Sequence, residues 1–347
     1  MFLKRLTKTI FDQTITNIYK NFPLFFKPKR IILCYHRLCT QKINNVHSIE
    51  TTFLDVKLFE EQLKWLSNLG RFVPLDELTD LKNDAKEWQI TITFDDGYRD
   101  IIDYGLPLIQ KYKAYATVFV STLFVEDKTH LPWWDLLIFI YERYRTALKI
   151  KINGQTKTYN LAEQDERVKF LKKLSSLFLE MGREEADNLQ ESLVNQIKKE
   201  VALPSNEFLS QKDLKLLAAS EFITIGSHGV SHTNLAKLSP GGIKQELFES
   251  KKTLQNWINK KVDWFAYPYG RSQYRNDLVA EYVVKAGYKG ALTTDGGYVS
   301  KQTDPYQIPR IGIDGKWEMT RFKARILAYL PRKKLNLPNI VGLIPVS

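Results

Sequence analysis

The sequence predicts an α/β protein, a (β/α) barrel with a mainly helical insertion. Short apolar runs alternate with amphipathic helical stretches over most of the chain, the pattern of a mainly parallel sheet with helical crossovers. About eight such runs can be counted, enough for a closed sheet. The length of 347 residues suits a barrel of roughly 250 residues plus an insertion.

The elements follow in order. Arg30-Ile-Ile-Leu-Cys-Tyr35 reads as a buried strand. Phe53, Leu54, Val56, Leu58, Phe59, Leu63, Leu66 and Leu69 have helical spacing, and Gly70 is placed to cap that helix. Trp88-Gln-Ile-Thr-Ile-Thr-Phe94 alternates β-branched residues as a strand does, and Ala116-Thr-Val-Phe-Val120 follows. Later strands are Phe222 to Ile225, Trp264 to Tyr267, Gly290 to Thr293 and Ile308 to Ile313, with helices at Pro240 to Ile258 and Asn276 to Ala286. Residues 132–205 break this rhythm. Trp133 and Trp134 open them, a hairpin turns at Asn153-Gly154, and helices follow with Val168, Leu171, Leu174 and Phe178 on one face. The expected organisation is a basic N-terminal segment 1–29, a barrel 30–315 interrupted by insertion 132–205, and a basic helix and tail 316–347.

Composition excludes whole classes. At 44% hydrophobic and 26% charged residues the chain is neither disordered nor fibrous. It has no run of 18 apolar residues and no signal-peptide pattern behind Phe2 and Leu3, and its two cysteines, Cys34 and Cys39, are too few for a disulfide framework. An intracellular, cytoplasmic protein is the expectation. The net charge of +12 sits at the ends. Residues 1–30 carry seven basic side chains and one acid, and so do residues 316–347. A nucleic-acid binder would carry its excess on the folded body. Basic, partly apolar ends on a neutral body point to an anionic membrane surface on the cytoplasmic face, or to solubilising tails. At the C-terminal end Met319, Phe322, Ile326, Leu327 and Leu330 form one side of a helix, opposite Arg321 and Arg325.

Three motifs carry chemistry, all at predicted strand ends. The first is Thr93-Phe-Asp-Asp-Gly97. Two adjacent acids on a buried strand are costly unless they leave the sheet or are paired, and Gly97 supplies a turn that brings both to the rim. The second is Ser227-His-Gly-Val-Ser-His232. With one helical turn between them, His228 and His232 would share a face, and two histidines with one carboxylate make an open site for a catalytic divalent metal. The third, Phe265-Ala-Tyr-Pro-Tyr-Gly270, reads on its own as a turn.

Together these motifs resemble the polysaccharide deacetylases, the NodB-like carbohydrate esterases, over roughly residues 30–131 and 206–315. The resemblance implies a distorted (β/α) barrel of the NodB-like deacetylase type. It also implies a metal bound by Asp96, His228 and His232, with Asp95 as general base. Pro268 and Tyr269 then form the turn at the substrate, and the Tyr269 backbone N–H contributes to the oxyanion hole.

Three departures from the family pattern stand out. Gly229 follows His228 where the family usually has Ser or Thr. The third motif lacks its leading arginine. No histidine follows His232, so the downstream histidine that would serve as general acid is absent. One branch of the family has permuted motif order and keeps its acid histidine in a Tyr-His near the N-terminus, which corresponds to Tyr35-His36. The first and last strands of a closed barrel are neighbours, so His36 can reach the same rim. His47 and His130 are the other histidines available for the role. Asp295 and Arg310, also at strand ends, could pair to orient Asp95. Trp133 and Trp134 could stack on a sugar or pack at the insertion's root.

The resulting expectation is a metal-dependent hydrolase that removes N-acetyl groups from amino sugars of a polysaccharide or its lipid-linked precursor, using one divalent ion (zinc, or cobalt or nickel). Two alternatives stay open: hydrolysis of another amide or ester on the same scaffold, and an inactive glycan-binding relative.

Overall fold

The computed structural model describes residues 2–21, 29–40, 52–82, 85–152, 154–205 and 207–328. Its central sheet has nine strands: β1 (Arg30–Tyr35), β2 (Gly70–Phe72), β3 (Trp88–Phe94), β4 (Ala116–Val120), β5 (Ile223–Ser227), β6 (Trp264–Ala266), β7 (Gly290–Thr293), β8 (Ile308–Pro309) and β9 (Ile311–Gly312). The order is β8-β7-β6-β5-β4-β3-β1-β9, every pairing is parallel, and β2 adds to β3. The two ends of this path are one segment. Ile308–Pro309 pairs with β7 and Ile311–Gly312 pairs with β1, so the run expected as a single strand breaks at Arg310 and nearly closes the barrel.

Strand periodicity sorts the side chains. On β3, Trp88, Ile90, Ile92 and Phe94 join the large core beneath the helices, while Thr91 and Thr93 bond backbone carbonyls of Val73 and Leu33 on the opposite face. Ile32, Phe119, Trp264, Ala266, Leu292 and Ile308 form a separate cluster with Val73, Leu75, Leu78 and Val299. Continuing the β3 alternation by one residue puts Asp95 on the Thr91 and Thr93 side.

The helix expected from Phe53 begins at Val56, capped by Asp55, whose Oδ1 accepts from the N–H of Lys57 and Leu58. Phe53–Asp55 instead pairs with Arg37–Cys39 as a short strand. Gly70 is not a left-handed cap. It opens β2, unmarked by periodicity, and a Cβ there would lie 2.2 Å from the carbonyl oxygen of Trp88. Close approach of two strands, rather than turn geometry, requires the glycine.

Residues 133–197 form helices Trp133–Arg143, Gln164–Glu180 and Arg183–Ile197 and the hairpin Ala147–Ile152 with Gln155–Asn160. They bury their own cluster, in which Phe170 joins Leu171, Leu174 and Phe178, while Val168 is only half-buried. The turn residue Asn153 lies outside the described residues.

The terminal helices Phe2–Asn21 and Met319–Leu327 pack on each other, with Thr16 Oγ1 donating to the Thr320 carbonyl at 3.4 Å. Trp65 meets Tyr19 and Phe322 edge to face. Phe322, Ile326 and Leu327 are buried in the main core. The apolar side of the C-terminal helix, expected to face a membrane, is therefore consumed by the barrel. Leu330 lies outside the described residues. Among the described residues no helix is long and apolar enough to cross a membrane.

Candidate active site

The site begins where β3 ends. Asp95 follows the strand's inward alternation, and Asp96 (φ 73°) and Gly97 (φ 85°) then turn the chain through left-handed backbone. His232 (φ 56°) and Tyr269 (φ 60°) also sit at positive φ. Non-glycine residues in that region cost free energy and persist where surrounding contacts over-determine them, as at functional sites.

Asp95 is buried in an electrostatic clamp. Its Oδ1 and Oδ2 accept from Arg310 Nη1 and Nη2 at 2.6 and 2.7 Å, the planar fork geometry of a strong charge-assisted pair. Arg310 is itself fully buried, with Nε on the Thr293 carbonyl and Nη1 also on Thr93 Oγ1. Cys34 Sγ lies 3.4 Å from Asp95 Oδ2. Burial alone would push the Asp95 carboxyl up, but Arg310 first, then His228, pull it well below the ordinary carboxylate range.

Beside it, Asp96 Oδ1 lies 3.3 Å from His232 Nε2 and 3.6 Å from His228 Nε2. The loop between the histidines is irregular rather than the helical turn expected, because Gly229 (φ 82°) and His232 both adopt left-handed backbone; the rings still converge, 4.8 Å apart. His228 Nδ1 is 2.7 Å from the Ala266 carbonyl, which only accepts, so Nδ1 carries the proton and Nε2 presents a lone pair. Burial lowers the His228 pKa to about 4, which keeps the ring neutral near pH 7. Asp96 Oδ1, although buried, has no hydrogen-bond donor among the described residues. One ligand atom from each of Asp96, His228 and His232 lies within 4.8 Å of the others. Converging buried lone pairs with no donor between them suit a cation, and an N, N, O set suits a divalent metal such as zinc.

His36 follows β1 on the same rim, within 4.8 Å of Cys34 and Asp95 by its nearest ligand atom, and its buried Nδ1 has no partner among the described residues. His130 stacks on Phe124 at 5.5 Å, near His232. His47 lies outside the described residues. Tyr269 sets its ring edge-on to His232 at 4.7 Å and accepts a hydrogen bond from Trp133 Nε1 at 3.1 Å; Pro268 precedes it in the turn. Trp134 stands 4.7 Å from the same His232 ring and donates to Tyr98. Both tryptophans thus pack the insertion onto the site.

One expected pair does not form. Asp295 bonds Arg275 and the Ser272 N–H rather than Arg310, because Arg310 is drawn between the two sheet edges toward Asp95 while Asp295 stays at the surface. Three participants were not anticipated from the sequence. Cys34 carried only the strand alternation that aims it inward. Arg275 carried no signal. Glu246 did: a glutamate beside Ile243, Leu247, Ser250 and Leu254, on the apolar face of its helix.

Comparisons with known proteins show a family likeness and a shared fold. The family model described as polysaccharide deacetylase matches residues 82–291. YxkH of Bacillus subtilis (strain 168), a named candidate polysaccharide deacetylase, is 24% identical over 305 residues, covering 86% of this chain and 77% of that one. A poly-β-1,6-N-acetyl-D-glucosamine N-deacetylase of Staphylococcus aureus (strain MRSA252) is 25% identical over 74% of this chain and 66% of its own length. Among solved structures, the Streptococcus pyogenes deacetylase PplD in complex with acetate superposes with a TM-score of 0.56 at 20% identity, over 86% of this chain and 97% of that one. A de-N-acetylase from Aggregatibacter actinomycetemcomitans gives 0.55 at 14% identity, over 84% and 98%.

Proposed function

The chain belongs to the polysaccharide deacetylase family, hydrolases of carbon–nitrogen bonds other than peptide bonds, and from that premise we propose that it removes N-acetyl groups from amino sugars of a polysaccharide or its lipid-linked precursor. The observation that carries the reading is the meeting, at one barrel rim, of the Arg310-clamped Asp95 with the converging Asp96, His228 and His232. Asp96, His228 and His232 would hold one divalent ion, zinc by donor type, with cobalt or nickel as substitutes. Such an ion polarises the acetyl carbonyl and makes the attacking water acidic enough for a weak carboxylate base.

Asp95 takes the water's proton. Arg310 keeps that carboxylate ionised and fixes its plane, so the base is oriented before substrate arrives. The Tyr269 backbone N–H, in the turn after β6, would help hold the developing oxyanion, an arrangement often worth several kcal/mol. His36, across from Asp95, would give its proton to the departing amine, releasing acetate and a free amino sugar.

The test is acetate release from N-acetylglucosamine oligomers, β-1,6-linked ones included, and from lipid-linked N-acetylated precursors, after reconstitution with zinc, cobalt or nickel. Metal-dependent acetate release supports the reading. Turnover of acetate esters with none of N-acetyl sugars would move the enzyme to ester chemistry.

The charge distribution supports a proposal about place: a peripheral position on an anionic membrane surface at the cytoplasmic face, where lipid-linked glycans would be met. Since the apolar side of the C-terminal helix is buried, the attraction would be electrostatic, about 1 kcal/mol per basic residue near the surface. Co-sedimentation with vesicles should then require anionic lipid, weaken with salt, and fall when Arg332, Lys333 and Lys334 are changed to Glu. Binding that ignores salt would overturn it.

A further inference from the structure

Glu246 lies outside the three motifs, on the helical run from Pro240 to Ile258, within a π-helical turn at Gln245–Glu249. Single π-turns inside α-helices often mark functional positions because they re-aim one side chain. Here the re-aimed side chain is a carboxylate with 1% exposure. Its Oε2 accepts from the Val230 N–H at 2.7 Å and the Ser231 N–H at 3.0 Å. Its Oε1 accepts from Ser231 Oγ at 2.6 Å and from Arg183 Nη1 at 3.1 Å. Four donors therefore converge on one buried carboxylate, and three of them belong to the loop between His228 and His232.

That loop is the least regular part of the site. It leaves β5 at Ser227, turns through left-handed backbone at Gly229, and enters left-handed backbone again at His232, where a non-glycine residue is strained. Something must hold it. The carboxylate does so at the two residues immediately before His232. It adds a second reason for the glycine beside its left-handed backbone: a Cβ at position 229 would lie 2.9 Å from Glu246 Oε2. Gly229 and Glu246 thus form a matched pair, the absence of a side chain at one making room for the carboxylate of the other. Arg183, the first residue of helix Arg183–Ile197 in the insertion, supplies the charge that makes a buried carboxylate tolerable there.

We infer that Glu246 is a positioning residue for the metal site: it fixes the loop that presents His232, and Arg183 ties that loop to the insertion. The inference rests on the proposed metal site. Groups that orient ligands in this way typically contribute 10- to 100-fold in metal affinity.

The experiment measures zinc affinity by chelator competition, and the visible absorption of the cobalt-substituted protein, for wild type, His232→Ala, Glu246→Ala, Glu246→Gln, Ser231→Ala, Gly229→Ala and the pair Gly229→Ala with Glu246→Ala. Wild-type binding of one ion, lost in His232→Ala, establishes the site itself; if His232→Ala binds as wild type does, the site reading fails before Glu246 is judged. Glu246→Ala should bind zinc about 10- to 100-fold more weakly with an altered cobalt spectrum. Glu246→Gln, whose carbonyl can still accept from Val230 and Ser231, should recover most of that affinity. Adding Gly229→Ala to Glu246→Ala should weaken binding less than Gly229→Ala does alone, since the carboxylate it would strike is gone. Ser231→Ala, which removes one hydrogen bond, covers the case in which Glu246→Ala does not fold, and should shift the cobalt bands while lowering the melting temperature of the metal-free protein less than Glu246→Ala does. Wild-type zinc affinity and an unchanged cobalt spectrum in Glu246→Ala, or in Ser231→Ala where that substitutes for it, would overturn the inference.

Discussion

Arg310 grips Asp95 with both terminal nitrogens, at 2.6 and 2.7 Å, although 215 residues separate them in the chain. The pair sits where the broken last strand joins the two edges of the sheet, so one guanidinium both closes the barrel and orients the proposed base. Replacing Arg310 by Met should leave a buried carboxylate without its counter-ion and cost about 3–5 kcal/mol in urea unfolding of the metal-free protein. The sign with pH follows from the lowered Asp95 pKa. The pair's stabilisation is present above the unfolded carboxyl pKa of ~4 and is lost as pH falls through the lower folded value, so the gap between wild type and Arg310→Met should shrink toward acid. A gap that stays constant to pH 2 would deny the pairing.

The adjacent carboxylates should separate on substitution. Asp95→Asn is expected to keep its metal and lose turnover by ~100-fold or more, as loss of a general base does. Asp96→Asn and His228→Ala should lose metal and activity together. Metal content by atomic absorption beside acetate release decides it, and equal metal loss in Asp95→Asn and Asp96→Asn would erase the distinction.

His36 should act as proton donor. A donor must deliver a proton as the amine leaves, so His36→Ala should lower turnover by ~100-fold or more with metal content unchanged. Full activity in His36→Ala would pass the role to His130, His47 or solvent.

Asp295 should matter little to chemistry, because it pairs with Arg275 rather than Arg310. Asp295→Ala is expected to keep its metal and to change kcat less than tenfold, since its partners are Arg275 and the Ser272 N–H and not the Arg310–Asp95 clamp. A loss as large as that of Asp95→Asn would restore it to the site.

Asp135 offers a stability test on the metal-free protein. Burial pushes its carboxyl up to about 6, with Arg37 opposing, and it accepts a hydrogen bond from the Tyr98 hydroxyl. A raised folded pKa favours the fold below the unfolded value of ~4, and that advantage disappears as pH rises through about 6. Asp135→Asn retains an acceptor for Tyr98, so it should flatten the stability profile between these limits and be ~1–2 kcal/mol more stable than wild type at pH 7. Melting curves across pH would show it; an unchanged slope would refute it.

Much of this protein is legible because the relevant physics is local. Alternation along Trp88 to Phe94 places one face of that strand toward the helices, and Gly97 permits the turn that releases Asp96. The run from Pro240 to Ile258 declares a helix. Two histidines four apart converge even though the intervening chain is a loop and not a helical turn, since the spacing bounds their separation in either form. What the tertiary structure alone decided are the partnerships. The sequence pairs Arg310 with Asp295, and only barrel closure gives Arg310 to Asp95 while Asp295 goes to Arg275. The apolar side of the C-terminal helix reads the same whether a membrane or a core receives it, and packing against Trp65 selects the core. Glu246 gains its place from a loop folded back onto its helix, so no local pattern names its donors. Periodicity tells which way a side chain points; what it meets there depends on chain closure over hundreds of residues, and that information is carried by the fold as a whole.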